Sequence, residues 1–96
     1  MPISVKVRLL GVFRGLVGVD RLSVEAEHLN VREVIGVLVD SVPEEAKKLL
    51  VDPELNDPRP NALILLNGRE ISVLKGLETK VNDGDEVALI PVAHGG

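Results

Sequence analysis

Cysteine is absent from this 96-residue chain, as are tryptophan, tyrosine and glutamine, and Phe13 is its only aromatic residue. Without cysteine there is no disulfide, thiolate metal site, iron–sulfur cluster or internal thioester nucleophile, so any sulfur chemistry must come from another molecule. With a single ring there is no stacking platform for nucleic acid. Lys and Arg total 11 against 15 Asp and Glu, and the resulting net charge of −4 has the wrong sign for a phosphate-backbone binder. Direct nucleic-acid binding is therefore not expected. No apolar run approaches the roughly 18 residues of a membrane span, and no leader-like segment opens the sequence, so the expectation is a cytoplasmic location without membrane attachment. His28 and His94 are the only histidines and are too far apart in sequence to read as a metal pair, so no metal site is expected.

What remains is 45% hydrophobic residues, Val, Leu and Ile almost throughout. This suits a single domain with an aliphatic core built from a sheet and helices. Ile3, Val5, Val7 and Leu9 alternate with polar residues, which predicts a half-buried strand from Ile3 to Leu9. A segment bearing Gly11, Gly15 and Gly18 reads as a long irregular loop. It leads to a second strand marked by Leu22, Val24 and Ala26, making an antiparallel hairpin. Asn30 with Glu33 is a capping-box start, and Val31, Val34, Ile35 and Leu38 fall at helical spacing, so the main helix spans about Val31 to Asp40. Gly36 inside it would let the helix approach the sheet closely. A short helix is expected after Pro43, with a Glu44–Lys48 pair outside and Leu49 and Leu50 facing inward.

The segment from Val51 to Asn61, with Pro53, Pro58 and Pro60, reads as a rigid loop. Ala62 to Leu66 is a continuous apolar run, read as a buried strand, and Asn67-Gly68 is a hairpin turn leading to Ile71 and Val73. Asp83-Gly84 marks a turn before a last strand from Glu86 to Val92. In that strand Val87 and Leu89 face the core and Pro91 ends the regular pairing. The acidic cluster of Asp83, Asp85 and Glu86 reads first as turn chemistry.

Two glycines, Gly95 and Gly96, close the sequence. A diglycine lacks any side chain, so it can thread a channel too narrow for other residues and present the α-carboxylate there. That carboxylate is ionised at neutral pH and is a ready nucleophile. With His94 it forms the candidate functional tail.

The stretch from Arg59 to Gly96 contains Leu65-Leu66-Asn67-Gly68, Gly76-Leu77-Glu78-Thr79, Asn82-Asp83-Gly84-Asp85-Glu86-Val87 and the terminal Gly-Gly. It resembles the MoaD/ThiS sulfur carriers and the eukaryotic ubiquitin-related modifier, and small archaeal modifier proteins are similar as well. Val7 to Asp20, with Phe13 and Leu16-Val17-Gly18, adds a looser likeness to MoaD. Leu89 and Ile90 stand where MoaD proteins usually carry aromatic residues, Val92-Ala93 replaces their proline-rich run, and His94-Gly95-Gly96 is similar to the end of the ubiquitin-related modifier.

The resemblance implies an α+β ubiquitin-like β-grasp fold, with a mixed four- to five-stranded sheet and one main crossover helix. Residues 1–91 would form the domain and residues 92–96 a flexible C-terminal tail. The protein would be a carrier and not an enzyme. It would bind no permanent cofactor, ATP and Mg²⁺ being co-substrates of an E1-like adenylyltransferase of the MoeB/ThiF type. That partner would adenylate the Gly96 carboxylate and convert it to a thiocarboxylate. The sulfur would pass to the large subunit of molybdopterin synthase, this chain acting as the small subunit. Alternatively the chain would serve tRNA thiolation or be joined to acceptor-protein lysines. Matching to MoaD also implies that Leu10 and Ile90 dock the partner. A binding module with an inert tail is the remaining alternative.

Overall fold

The structure, a computed structural model, describes residues 2–27, 29–51, 58 and 62–92. The strands are β1 (Ile3–Leu9), β2 (Arg21–Ala26), β3 (Ala62–Leu66), β4 (Arg69–Glu70) and β5 (Glu86–Pro91). The helices are α1 (Gly11–Val17), α2 (Val31–Asp40) and α3 (Glu44–Leu50), with short 3-10 turns at Ile71–Val73 and Gly76–Glu78. The five strands make one mixed sheet in the order β2-β1-β5-β3-β4. β1 and β5, the first and last strands, are parallel neighbours at its centre, with Val7 beside Val87 and Leu9 beside Leu89. Every other pairing is antiparallel. Among the described residues no helix is long and apolar enough to cross a membrane.

Among the described residues one sheet face is covered and the other is open. Val5, Val7 and Leu9 of β1, Val24 of β2, Ile64 of β3, and Val87 and Leu89 of β5 are buried, in one core with Val31, Val34, Ile35 and Leu38 of α2. Fully burying a side chain such as Leu38 stabilises the fold by about 1.5–3 kcal/mol. The start of α2 is fixed by the capping box foreseen in the sequence. The Glu33 N–H donates to Asn30 Oδ1 at 2.9 Å, and the Asn30 N–H donates to Glu33 Oε1 at 3.1 Å.

The segment expected to be an irregular loop after β1 is helical. Gly11 turns the chain at φ +55°, Phe13 is buried against the core with Leu16 and Val17 packed partly around it, and Gly18 ends α1 in the left-handed region at φ 89°. Phe13, Leu16 and Val17 have the i, i+3, i+4 spacing of a helix face.

Gly36 does not mediate close approach to the sheet. It lies on the exposed side of α2 with nothing within 4 Å of where a Cβ would be, beside a groove of about 290 Å³ lined by Arg32, Val39 and Val51. α3 begins after Pro43 as expected, but of its two leucines Leu50 alone turns inward, whereas Leu49 is half exposed. Glu44 pairs with Lys47 at 3.2 Å and not with Lys48. β3 is not buried on both sides: its burial alternates, and Leu63 is 39% exposed. β4 is only two residues long before the chain enters a 3-10 turn, which leaves Val73 exposed. The expected proline-rich loop and His28 fall mostly or wholly outside the described residues.

Candidate functional site: the exit of the last strand and the open sheet face

The C-terminal strand is held by the turns on either side of it. Asn67 and Gly68 both have positive φ, 50° and 84°, the signature of the two-residue hairpin turn that Asn-Gly favours. Asn67 Nδ2 donates to Asp85 Oδ1 at 3.0 Å, and Asn67 Oδ1 accepts from the Glu86 N–H at 2.9 Å, so the β3–β4 turn is tied to the start of β5. Asp85 Oδ2 accepts from the Asn82 N–H at 2.7 Å, and Asp83 Oδ1 accepts from the Ser4 N–H at 2.8 Å. Asp83 and Asp85 are thus turn chemistry, as the sequence suggested, anchoring backbone amides at the base of the sheet.

The far end of β5 leads on to the C-terminal residues. Ala62 pairs with Pro91, the last residue of the ladder, as expected from its missing N–H. A Cβ placed on Gly11 would meet Pro91 Cγ at 2.8 Å, so the junction between β1 and α1 presses directly on this exit. Val92 follows and is 42% exposed. Ala93, His94, Gly95 and Gly96 lie outside the described residues.

Both predicted docking residues flank this exit. Leu9 and Leu89 are paired and core-facing. Leu10, still extended at φ −117° and ψ 160°, and Ile90 follow them on the alternate, open side, each half-buried. The Leu10 N–H donates to the Leu89 carbonyl at 3.1 Å, which locks the two segments side by side.

The structure adds residues that the sequence reading missed. Leu63 is the cross-strand partner of Ile90 and Leu65 that of Ala88, so an apolar stripe runs along β3 and β5 on the open face. Arg8 and Lys6 border it on β1, opposite Ala88 and Glu86. The signal was available: one helical layer can cover only one sheet face, so alternation had to send Leu63 and Leu65 outward.

A concavity of about 150 Å³ beside Val92 lies among Leu63, Glu70, Ile71 and Ser72. The Ser72 N–H donates to the Glu70 carboxylate, which caps the first 3-10 turn at its rim. The chemistry this region can supply is an apolar platform next to a strand end and a tail with no side chain at its tip.

Comparison with known proteins gives this geometry a context. A protein of Archaeoglobus fulgidus named as a sulfur carrier is 38% identical over 76 residues, spanning 78% of this chain and 83% of that protein. Small archaeal modifier protein 3 of Haloferax volcanii is 30% identical over 94 residues, 97% of this chain and 99% of that one. The solution structure of small archaeal modifier protein 1 from Methanosarcina acetivorans superposes with a TM-score of 0.81 at 30% identity, covering 100% of this chain and 99% of that one. The fold is accordingly the ubiquitin-like β-grasp. A model of the ThiS family matches residues 7–96, from β1 through the closing diglycine, and the chain belongs to that family.

Proposed function

We propose that the chain is a sulfur carrier that works through the Gly96 carboxylate, activated by an E1-like adenylyltransferase with ATP and Mg²⁺. The observation that carries this reading is the meeting of two features at one end of the sheet. β5 ends at Pro91 beside the apolar Leu10, Leu63 and Ile90, and the family match continues from there through Gly96.

A carboxylate oxygen of Gly96 attacks the α-phosphorus of ATP, forming an acyl-adenylate and releasing pyrophosphate. A persulfide of the partner then attacks the acyl carbon and expels AMP, leaving an acyl disulfide. A second thiol of the partner attacks the partner-side sulfur of that disulfide, forming a disulfide within the partner and releasing the thiocarboxylate. All the sulfur is external, because this chain has no cysteine. The chain itself supplies the nucleophile, a tail without side chains at its tip, and the Leu10–Leu63–Ile90 surface on which a partner sits.

Transfer of this sulfur as the small subunit of molybdopterin synthase is the destination the MoaD resemblance favours. The likeness to two small archaeal modifier proteins favours a second reading, in which the activated carboxyl is used in tRNA thiolation or joined to a protein lysine.

The test is the intact mass of the chain after incubation with the adenylyltransferase, ATP, Mg²⁺ and a sulfur donor, next to a variant lacking Gly96. An oxygen-to-sulfur mass increase confined to the full-length chain supports the carrier. Conjugates to lysine without a thiocarboxylate favour the modifier. No product from an active partner leaves only a binding module with an inert tail.

A further inference from the structure

β2 is the last strand on its side of the sheet, and it has β1 as its only partner among the described residues. The direction of its backbone groups follows from its neighbours. The Lys6 and Leu10 N–H groups donate toward β5, to the Asp85 and Leu89 carbonyls, while the Leu9 N–H donates to the Asp20 carbonyl. Odd-numbered residues of β1 therefore bond β2, and in the observed register they meet Leu22, Val24 and Ala26. By alternation, the N–H and C=O groups of Arg21, Ser23 and Glu25 point away from the sheet, at an edge that can accept another strand.

The side chains on that edge are self-complementary. In an antiparallel pairing of β2 with β2 of a second copy, centred on Ser23, Arg21 faces the second copy's Glu25, Ser23 faces Ser23, and Glu25 faces Arg21. These are the same three residues whose backbone groups point outward, so the ladder and the charges select one register. A separate feature adds to this. Within the monomer Arg21 lies directly opposite Arg8 on the exposed face, a like-charge pair, and neither is in an ion pair with a described residue. Like charges opposed across a ladder are destabilising, and a carboxylate brought against Arg21 offsets that repulsion.

We propose that β2 is a homodimerisation edge through which two copies join their sheets about a two-fold axis at Ser23. The pairing is made on the far side of β1 from the β3–β5 apolar stripe and the end of β5, since β1 lies between β2 and β5. It therefore stands independently of the proposed carrier chemistry. The contact is small, so the dimer is dissociable, with a dissociation constant on the order of 100 μM.

Sedimentation equilibrium of the full chain tests this over a range of concentrations, with circular dichroism to verify folding of each variant. Arg21→Glu and Glu25→Arg each place like charges opposite one another twice per dimer, and each should weaken association by roughly tenfold or more. The double exchange Arg21→Glu/Glu25→Arg should restore it. In the wild type, amide exchange at Ser23 and Glu25 should slow as concentration rises. A chain that stays monomeric up to about 1 mM, a dimer indifferent to both reversals, or a double variant that does not recover would each overturn the proposal.

Discussion

Gly11 is constrained twice at a single Cα. Its φ of +55° is costly for a side chain, and a Cβ there would meet Pro91 Cγ at 2.8 Å. Gly18 has φ +89° but open space around it. Gly11→Ala should therefore cost about 2 kcal/mol or more and Gly18→Ala nearer 1 kcal/mol, measured by urea unfolding. Equal costs would mean that Pro91 moves aside freely. On the open face the expected changes are in binding and not in stability. Ile90→Arg or Leu63→Arg should lower affinity for the activating or acceptor partner by roughly tenfold or more in calorimetric titration, with the melting temperature almost unchanged, because neither side chain belongs to the core. Unaltered affinity in both variants would remove this face from partner binding.

At the level of elements, α2 offers opposing substitutions. Gly36→Ala adds a methyl group where nothing lies within 4 Å and should raise stability by about 0.5–1 kcal/mol in thermal or urea unfolding. Asn30→Ala removes one half of the capping box and should lower it by about 1 kcal/mol. α2 was legible because both its cap and its apolar stripe are local signals. α1 was hidden by its glycines: Gly11 opens the helix, Gly18 caps it and Gly15 lies in its interior, and three glycines in so short a span read as a loop. β3 misled differently. Its five apolar residues suggested burial on both faces, although the helical layer among the described residues covers one. Leu10 and Ile90 were read from a family likeness joined to alternation; alternation could also have put Leu63 and Leu65 on the open face, but seating them beside Ile90 and Ala88 required the strand order, which pairs residues far apart in the chain. Leu49 was misread as inward-facing with Leu50, because the sequence does not show which side of α3 meets the core.

For the molecule as a whole, the described core residues run from Val5 to Leu89. On the proposed carrier function, deleting Ala93 to Gly96 should abolish thiocarboxylate formation by mass spectrometry while leaving the unfolding midpoint unchanged. A large loss of stability would mean that the tail packs on the domain. Partition of structure and chemistry in this way would fit the proposed carrier, an acidic chain without cysteine whose folded body presents a surface and whose Gly96 carboxylate is the reacting group.

The central position of β5 also has a mechanical meaning. It lies between β1, which runs parallel to it, and β3, which runs antiparallel, so a pull on the C-terminal end is directed along the strand. Both hydrogen-bond ladders are perpendicular or slanted to that pull and are loaded in shear together, instead of opening one bond at a time. Under the proposed carrier function, a partner that draws the C-terminal end into a channel would thus load a strand braced on both sides.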